Sequence, residues 1–200
     1  MFAQIVQGRV TDPAGLQKQW ERWIEDVKPG AQGFLGSTAG ITADGEFITI
    51  ARFENEEAAR ANSDRPEQGA WWEETSQYLE DPMFHDCTMV DVFGGGGSDS
   101  AGFVQVIQGK TKDVEKSREL DARMEPTMRD RRPDVIGGVN AWHPENGRFT
   151  TFIYFTSEAE ARAKEKEMAS DESASEYMRE MQALSDGEPK FLDISEPWMT

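Results

Sequence analysis

FAQIVQGR, at residues 2–9, decides the fold, because it recurs 101 residues later as FVQVIQGK, at residues 103–110. The phenylalanine, both glutamines and the glycine are identical in the two copies, and most of the other positions differ by close substitutes. The β-branched and apolar residues of each copy predict a strand that is buried on both faces. The recurrence predicts that the chain is a tandem repeat.

A second match supports the repeat and helps to place its boundary. GEFITIARFENEEAARA, at residues 45–61, aligns with GRFTTFIYFTSEAEARA, at residues 147–163, through eight identities. Between the copies lies GGGGSDSA, a composition that is typical of a flexible linker. We therefore predict a first domain at residues 1–93, a linker at residues 94–101 and a second domain at residues 102–200.

The first copy predicts the element order β-α-β-β-α-β. Asp12-Pro13 combines an N-cap acceptor with a proline at the first helical position, which indicates a helix start. Ala43-Asp44-Gly45 predicts a hairpin turn between two strands. A second helix is expected to run from Pro66 to about Leu79, and a final strand at residues 85–93.

The second copy predicts the same order. Its second helix is expected at residues 157–184 with a break at residues 169–171, and a weak third match pairs residues 90–92 with 192–194. A βαββαβ unit predicts a ferredoxin-like α+β domain, an antiparallel four-stranded sheet with both helices on one face. Because the other face would be apolar and exposed in isolation, we expect the two domains to pack sheet to sheet as an intramolecular dimeric α+β barrel.

Composition and charge limit the partners. The chain carries 21 basic and 38 acidic side chains, a net charge of −17, and neither half has a basic surplus. We therefore expect no nucleic acid and no membrane as a partner. The first residues do not have the pattern of a signal peptide, and a single cysteine, Cys87, cannot form an intrachain disulfide. A cytoplasmic protein with a reduced thiol is expected.

The repeated strand, the strand-to-helix join at residues 45–61 and the tryptophan-bearing second helix are similar to those of the antibiotic biosynthesis monooxygenase-like family. Members of this family are dimeric α+β barrels, so the resemblance implies a pseudo-dimer within one chain. Whether pseudo-dimers associate into a larger homo-oligomer is left open. The family includes cofactor-free monooxygenases that act on polycyclic aromatics as well as haem-degrading enzymes, and the fold does not choose among them.

Haem-degrading members of the family are similar in using an asparagine on strand one and an axial histidine on helix two. Here Gln4 or Gln7 stands on strand one, and His85 falls beyond the helix. We therefore expect no haem, and no other cofactor. We expect no metal site either, because His143, at a hairpin tip, has only one nearby acid, Glu145.

Candidate site residues concentrate in the first copy. His85 is the candidate catalytic base, which would deprotonate a phenolic substrate. The tryptophans among the candidates would supply flat apolar walls that exclude water, and the arginine would stabilise an oxyanion. The candidate substrate-binding residues are Trp71, Trp72, Tyr78, Arg52 and Gln4.

Most of these residues also have a structural interpretation. Trp71 and Trp72 are adjacent on a helix, about 100° apart, so at least one of them is suited to core packing. Arg52 is suited to a surface or interface ion pair, and Gln4 to holding the two sheets in register. Two functions therefore remain: a small-molecule-binding protein that acts as a cofactor-independent oxygenase on a flat aromatic substrate, with a site only in the first domain, and a non-catalytic binding or interaction module with a self-filled pocket.

Overall fold

The structure is a computed structural model that describes residues 1–168 and 172–200. The chain divides into two compact units, residues 1–88 with 196–200 and residues 89–195. The break expected at residues 169–171 lies outside the described residues. No helix in the described ranges is long and apolar enough to span a bilayer.

The first unit contains a five-stranded antiparallel sheet and three α-helices. The elements of this unit are β1 (Phe2–Val10), α1 (Pro13–Arg22), β2 (Phe34–Ile41), β3 (Glu46–Phe53), α2 (Glu56–Ser63), α3 (Pro66–Thr75), β4 (Leu79–Cys87) and, from the end of the chain, β10 (Trp198–Met199). The helix α1 is extended by a π-helical turn at Trp23–Val27 and a 3₁₀ turn at Lys28–Gly30, and a 3₁₀ turn at Ser76–Tyr78 follows α3.

The second unit repeats this architecture. Among its described residues it has a five-stranded antiparallel sheet and three helices, and its first strand comes from the segment that follows β4. Its elements are β5 (Met89–Phe93), β6 (Phe103–Lys110), α4 (Val114–Arg131), β7 (Val135–His143), β8 (Arg148–Phe155), α5 (Glu158–Met168), α6 (Glu172–Leu184) and β9 (Lys190–Ile194).

The strand orders confirm the predicted α+β class and the ferredoxin-like repeat. The first sheet runs β10-β2-β3-β1-β4 and the second β5-β7-β8-β6-β9. Leaving out the outer strands β10 and β5, the two sheets have the same order and the same antiparallel pairing. Both first helices begin as their sequences predict, because Asp12 accepts a hydrogen bond from Gly15 N and Asp113 accepts one from Lys116 N, both at 3.1 Å.

The single strand expected at residues 85–93 is two strands in the structure. β4 pairs with β1 in the first sheet, and β5 pairs with β7 in the second. The counterpart of β9 is β4, because each of these strands pairs with the first strand of its own ferredoxin-like repeat. The weak match of residues 90–92 with 192–194 is therefore not a structural equivalence. The helix expected to reach Leu79 ends at Thr75, and β4 begins at Leu79.

The glycine run after β5 forms an ordered turn. Gly95 N and Gly96 N both donate to the Phe93 carbonyl, at 2.8 and 3.0 Å. A Cβ on Gly137 would lie 2.5 Å from the carbonyl oxygen of Gly96, so two glycine backbones approach each other closely here. The composition that is typical of a linker thus serves a tight backbone contact within the second unit.

Candidate functional site

The first unit contains a cavity between its sheet and its helices, with a volume of about 220 Å³. Gln4 and Val6 of β1 line it, as do alternate residues of β3, because successive side chains of a strand point to opposite faces. The remaining walls come from α1 and the π-helical turn that follows it, and from β2, α2, α3, β4 and β10. The cavity therefore lies on the helix-covered face of the first sheet.

Eight aromatic side chains line the cavity, and they include five of the six tryptophans in the chain. They come from both ends of the sequence and from both layers of the unit. The eight residues are Trp20, Trp23, Phe47, Phe53, Trp71, Trp72, Phe84 and Trp198.

Most of these rings form a continuous series. The Trp23 ring centroid lies 6.3 Å from that of Trp20 and 6.3 Å from that of Trp71. Trp71 lies 6.1 Å from Trp72, which meets Phe84 edge to face at 4.9 Å. Centroid distances of about 4.5–7 Å are those of favourable aromatic pairs, so the rings support one another as a wall.

Hydrogen bonds hold the polar ends of two of the indoles. Trp23 Nε1 donates to Gln68 Oε1 at 2.9 Å, and Trp71 Nε1 donates to the Gln19 carbonyl at 2.7 Å. An indole N–H that has a protein partner needs none from a ligand. These rings therefore present apolar surface to the cavity.

A small number of polar groups also face the cavity. Gln68 Oε1 accepts from Trp23 and, at 3.4 Å, from Asn62 Nδ2, and Asn62 Oδ1 accepts from Arg65 at 3.0 Å. These contacts orient the Gln68 amide and leave its Nε2 group without a protein partner among the described residues. The Thr49 hydroxyl also has no partner in that part of the chain. The site thus combines an apolar wall with donors that a ligand can use, among them Gln68 Nε2 and the Thr49 hydroxyl.

Three of the predicted site residues line the cavity: Trp71, Trp72 and Gln4. Gln4 Nε2 also donates to Asp86 Oδ1 at 3.0 Å, across the paired strands β1 and β4. Gln105 makes the same contact with Asp193 at 2.9 Å in the second unit. The glutamine thus links two strands of the same sheet, and in the first unit it lines the cavity as well. A role in holding the two sheets in register stays a prediction.

The other three predicted residues do not line the cavity. His85 pairs with Ile5, and Arg52 pairs with Ala3. Since Gln4 and Val6 face the cavity, the odd-numbered neighbours on β1 and their partners face the opposite side of the sheet. Tyr78 packs in the apolar cluster around Leu16. The structure therefore does not bring His85 or Arg52 together with the tryptophans.

Several lining residues were not identified from the sequence. Trp20 and Trp23 belong to an amphipathic stripe that is typical of a helix packed on a core. Trp198 lies 126 residues after Trp72, in what was predicted to be the second domain. Gln68 carries no motif. The signal that was available is the concentration of tryptophan in a 200-residue chain, but it does not say which of them meet.

The second unit has a polar network at the equivalent place. Trp20 lies eight residues after the N-cap of α1, and Asp121 lies eight residues after the N-cap of α4, so the two residues occupy equivalent positions. Asp121 accepts from Tyr177 at 3.0 Å and from Asn140 Nδ2 at 3.2 Å. Asn140 Oδ1 is buried without a hydrogen-bond partner among the described residues. Burial raises the pKa of the Asp121 carboxyl to about 6, and the charge of Asp91 adds to this rise.

Asp91 is the other carboxylate of this network. Arg118 holds it with two hydrogen bonds, of 2.6 and 2.8 Å, and Trp142 Nε1 donates to it at 2.9 Å. The bond from Arg118 lowers the pKa of Asp91, so this carboxylate is ionised at neutral pH. Thr11 N donates to the Tyr78 carbonyl, and the equivalent Lys112 N donates to the Leu184 carbonyl. Trp71 and Tyr177 each lie seven residues before that carbonyl, so they occupy equivalent positions. The second unit therefore does have an aromatic equivalent of Trp71.

Among the residues that the structure describes, no group of three or more His, Cys, Asp or Glu side chains could hold a metal ion. The side chains that line the cavity are not titratable. Cys87 is a buried cysteine on β4 and does not line the cavity. The cavity therefore offers packing and hydrogen bonding, and no charged ligands for an ion.

Comparisons with solved structures identify the fold. The chain is similar over its full length to a proposed monooxygenase from Lactobacillus acidophilus NCFM, with 13% identity, a TM-score of 0.76, and coverage of 100% of this chain and 98% of the other. A proposed monooxygenase from Fusobacterium nucleatum subsp. nucleatum gives 10% identity, a TM-score of 0.77, and coverage of 96% and 90%. The chain has the fold of the antibiotic biosynthesis monooxygenase-like proteins.

A third structure of this monooxygenase-like fold is described as anthrone oxidase-like. It has 12% identity and a TM-score of 0.67, and the alignment covers 99% of this chain and 92% of that one. No protein-family model and no curated protein matches the chain. The monooxygenase-like fold is therefore established from structure, in agreement with the resemblance seen in the repeated strand.

Proposed function

We propose that the first unit binds a small, flat, largely apolar aromatic molecule and oxidises it with molecular oxygen, without a cofactor. The observation that carries the binding proposal is the cavity lined by eight aromatic side chains, two of whose indoles are held by hydrogen bonds to the protein. Aromatic walls favour planar ligands because ring faces and edges pack closely and exclude water.

The volume supports a ligand of two or three fused rings. A cavity of roughly 150 Å³ holds a benzene, whereas pockets for drug-sized molecules occupy about 300–1,000 Å³. The 220 Å³ of this cavity lies between those limits. Gln68 Nε2 and the Thr49 hydroxyl are donors without a protein partner among the described residues, and they suit one carbonyl or phenolic oxygen on the rim of such a ligand.

The proposed reaction is balanced without an external reductant. A benzylic methylene carbon that is conjugated with a ketone through the aromatic rings becomes a carbonyl as one O₂ is consumed: one oxygen atom enters the product, and the other leaves as water with the two hydrogens of the methylene. All four electrons come from the substrate. The donors lower the cost of removing the first proton by stabilising the enolate oxygen, and the tryptophans keep water away.

The residues near the cavity also support a second candidate, a non-catalytic binding module. Because the lining side chains are not titratable, the first proton would have to leave to water or to a base outside the cavity. A binding module requires no such base. The two candidates share the ligand and differ in the consumption of oxygen.

Anthrone, a flat tricyclic ketone with a reactive methylene, is the first probe. Wild type and Trp142→Phe are titrated with it while tryptophan fluorescence is recorded. Trp142 lies in the second unit, so its removal leaves the five cavity tryptophans as the reporters. We expect saturable quenching in both proteins, with a larger fractional quench in the variant.

Oxygen consumption and product are measured in the same samples against protein-free buffer. Oxygen uptake above that control, with one anthraquinone formed for each O₂, supports the oxygenase. Quenching without uptake supports the binding module. Absence of saturable quenching by anthrone and by 2-naphthol would exclude the proposed ligand class.

A further inference from the structure

The outer strand of the first sheet reaches the cavity from the end of the sequence. β10 pairs with β2, so that Trp198 lies opposite Ala39 and Met199 lies opposite Thr38. The backbones of Ser37 and Thr200 exchange two hydrogen bonds of 3.0 Å, and their side-chain hydroxyls lie 2.9 Å apart. Strand pairing therefore fixes the position of the Trp198 side chain.

Trp198 is the one residue of this strand that lines the cavity. Its ring centroid lies 6.1 Å from that of Trp20 and 6.3 Å from that of Phe47. Because neighbouring side chains of a strand point to opposite faces, Met199 is directed away from the cavity. Trp198 thus forms a boundary of the cavity at the β2 edge of the sheet, beside α1.

The second unit shows that this position determines what fills the interior. β5 is the counterpart of β10, and Asp91 lies opposite Asn140 as Trp198 lies opposite Ala39. Ala39 and Asn140 are equivalent, since they pair with the repeated residues Thr49 and Thr151. Where the outer strand supplies Asp91 in place of a tryptophan, this aspartate forms a partly exposed ion pair with Arg118 and accepts a hydrogen bond from the buried Trp142.

We infer that Trp198 is a specificity-determining residue of the aromatic site, which sets the length of flat ligand that the cavity accepts. The inference rests on the proposed function, because it names the wall that limits the same cavity. Replacing the indole by a smaller side chain opens space at the β2 edge, while the rest of the aromatic wall stays in place. A longer ligand gains contact in that space, and a shorter one loses the contact that Trp198 provided.

The test compares a two-ring and a three-ring probe. Dissociation constants of 2-naphthol and anthrone are measured for wild type, Trp198→Ala, Trp198→Phe and the control Met199→Ala. We expect the affinity ratio of anthrone to 2-naphthol to rise about tenfold in Trp198→Ala, the effect of one additional buried ring edge. Trp198→Phe should give an intermediate ratio, and Met199→Ala should keep the ratio of wild type.

The outcomes separate this inference from the proposed function. If wild type binds both probes and Trp198→Ala keeps the wild-type ratio, the inference is wrong and the aromatic site remains. If Met199→Ala changes the ratio as much as Trp198→Ala, the effect belongs to strand pairing, and the inference is again wrong. If wild type binds neither probe, the proposed function itself fails. Trp198→Phe keeps an aromatic ring on the strand and so guards against simple loss of β10.

Discussion

The two units have the same sheet but different interiors. In both, a glutamine on the first strand donates to an aspartate on the paired strand, Gln4 to Asp86 and Gln105 to Asp193. On the helix-covered face the first unit places Trp20 and Trp198, where the second places Asp121 and Asp91. The repeat therefore preserved the scaffold, while changes at a few positions of one face exchanged an aromatic cavity for a polar network.

The difference shows how the same fold can serve binding in one copy and internal hydrogen bonding in the other. In the first unit, the aromatic wall encloses a cavity of about 220 Å³ between helix and sheet. In the second unit, short polar side chains reach one another: Asp121 is within hydrogen-bond distance of both Tyr177 and Asn140. The aromatic cavity is described in the first unit, so we propose the candidate function for that unit, although both share a fold.

The largest expected effect comes from filling the cavity. Gly69 lines it from α3, and a Cβ at this position meets no atom within 4 Å. Gly69→Phe should place a ring in the cavity and abolish anthrone binding, without loss of stability, because glycine is a poor helix former. Fluorescence titration measures the binding, and thermal unfolding measures the stability.

Gly69→Ala is the matched control, since it gives the helix a better residue but adds only a methyl group. It should bind anthrone with the affinity of wild type. Equal binding by Gly69→Phe and Gly69→Ala would show that the ligand lies elsewhere, and the contrast between the two units would then lose its functional meaning.

The next effect concerns the buried carboxyl of the second unit. The pKa of Asp121 is about 6 in the folded state and 3.8 in a model compound, so the folded protein binds this proton more tightly. The stabilisation from protonated Asp121 is present below about pH 4 and is lost as the pH rises through about 6. An amide at position 121 does not titrate, and it can still accept a hydrogen bond from Tyr177.

The free energy of unfolding of Asp121→Asn, relative to that of wild type, should therefore increase by about 2 kcal/mol from pH 4 to pH 7. This value allows for the partial exposure of the carboxyl. Denaturant unfolding at several pH values measures this difference. A stability difference that does not change with pH would contradict the raised pKa.

Binding of a neutral aromatic probe in the first unit should stay constant from pH 5 to pH 8, because the side chains that line its cavity are not titratable.

The smallest effect comes from the ion pair of the second unit. Arg118→Gln removes the two charged hydrogen bonds to Asp91 and should destabilise the protein by about 1–2 kcal/mol. Gln17 holds the same position in α1, counted from the helix N-cap, and is exposed. Gln17→Ala should change the free energy of unfolding by less than about 0.5 kcal/mol. If the two variants lose the same free energy of unfolding, the ion pair contributes no more stability than an exposed side chain at this helix position.

The sequence predicted the scaffold because its signals are local and are repeated. The strand pattern at residues 2–9 and 103–110, the N-caps Asp12 and Asp113 and the strand-to-helix join at residues 45–61 each determine a local structure. Two of the tryptophans in the candidate site, Trp71 and Trp72, were also found, because they stand together on a helix that faces the sheet.

The sequence alone did not determine which residues meet across the unit. His85 and Arg52 were candidates by residue type, but strand register decides which face of the sheet a side chain occupies, and a shift of one residue reverses it. The pairing of β10 with β2 and of β5 with β7 is long-range, and no local pattern in these short strands names the partner.

The pattern of residues along the chain is sufficient to predict a duplicated ferredoxin-like unit, since periodicity, capping and repetition are properties of neighbouring residues. The composition of the cavity, in contrast, depends on long-range pairing: Trp198 joins Trp20 and Trp71 because an edge strand at residues 198–199 satisfies its backbone hydrogen bonds on the first sheet. Which sheet this strand joins depends on which free sheet edge and which apolar surface it can reach in the folded chain.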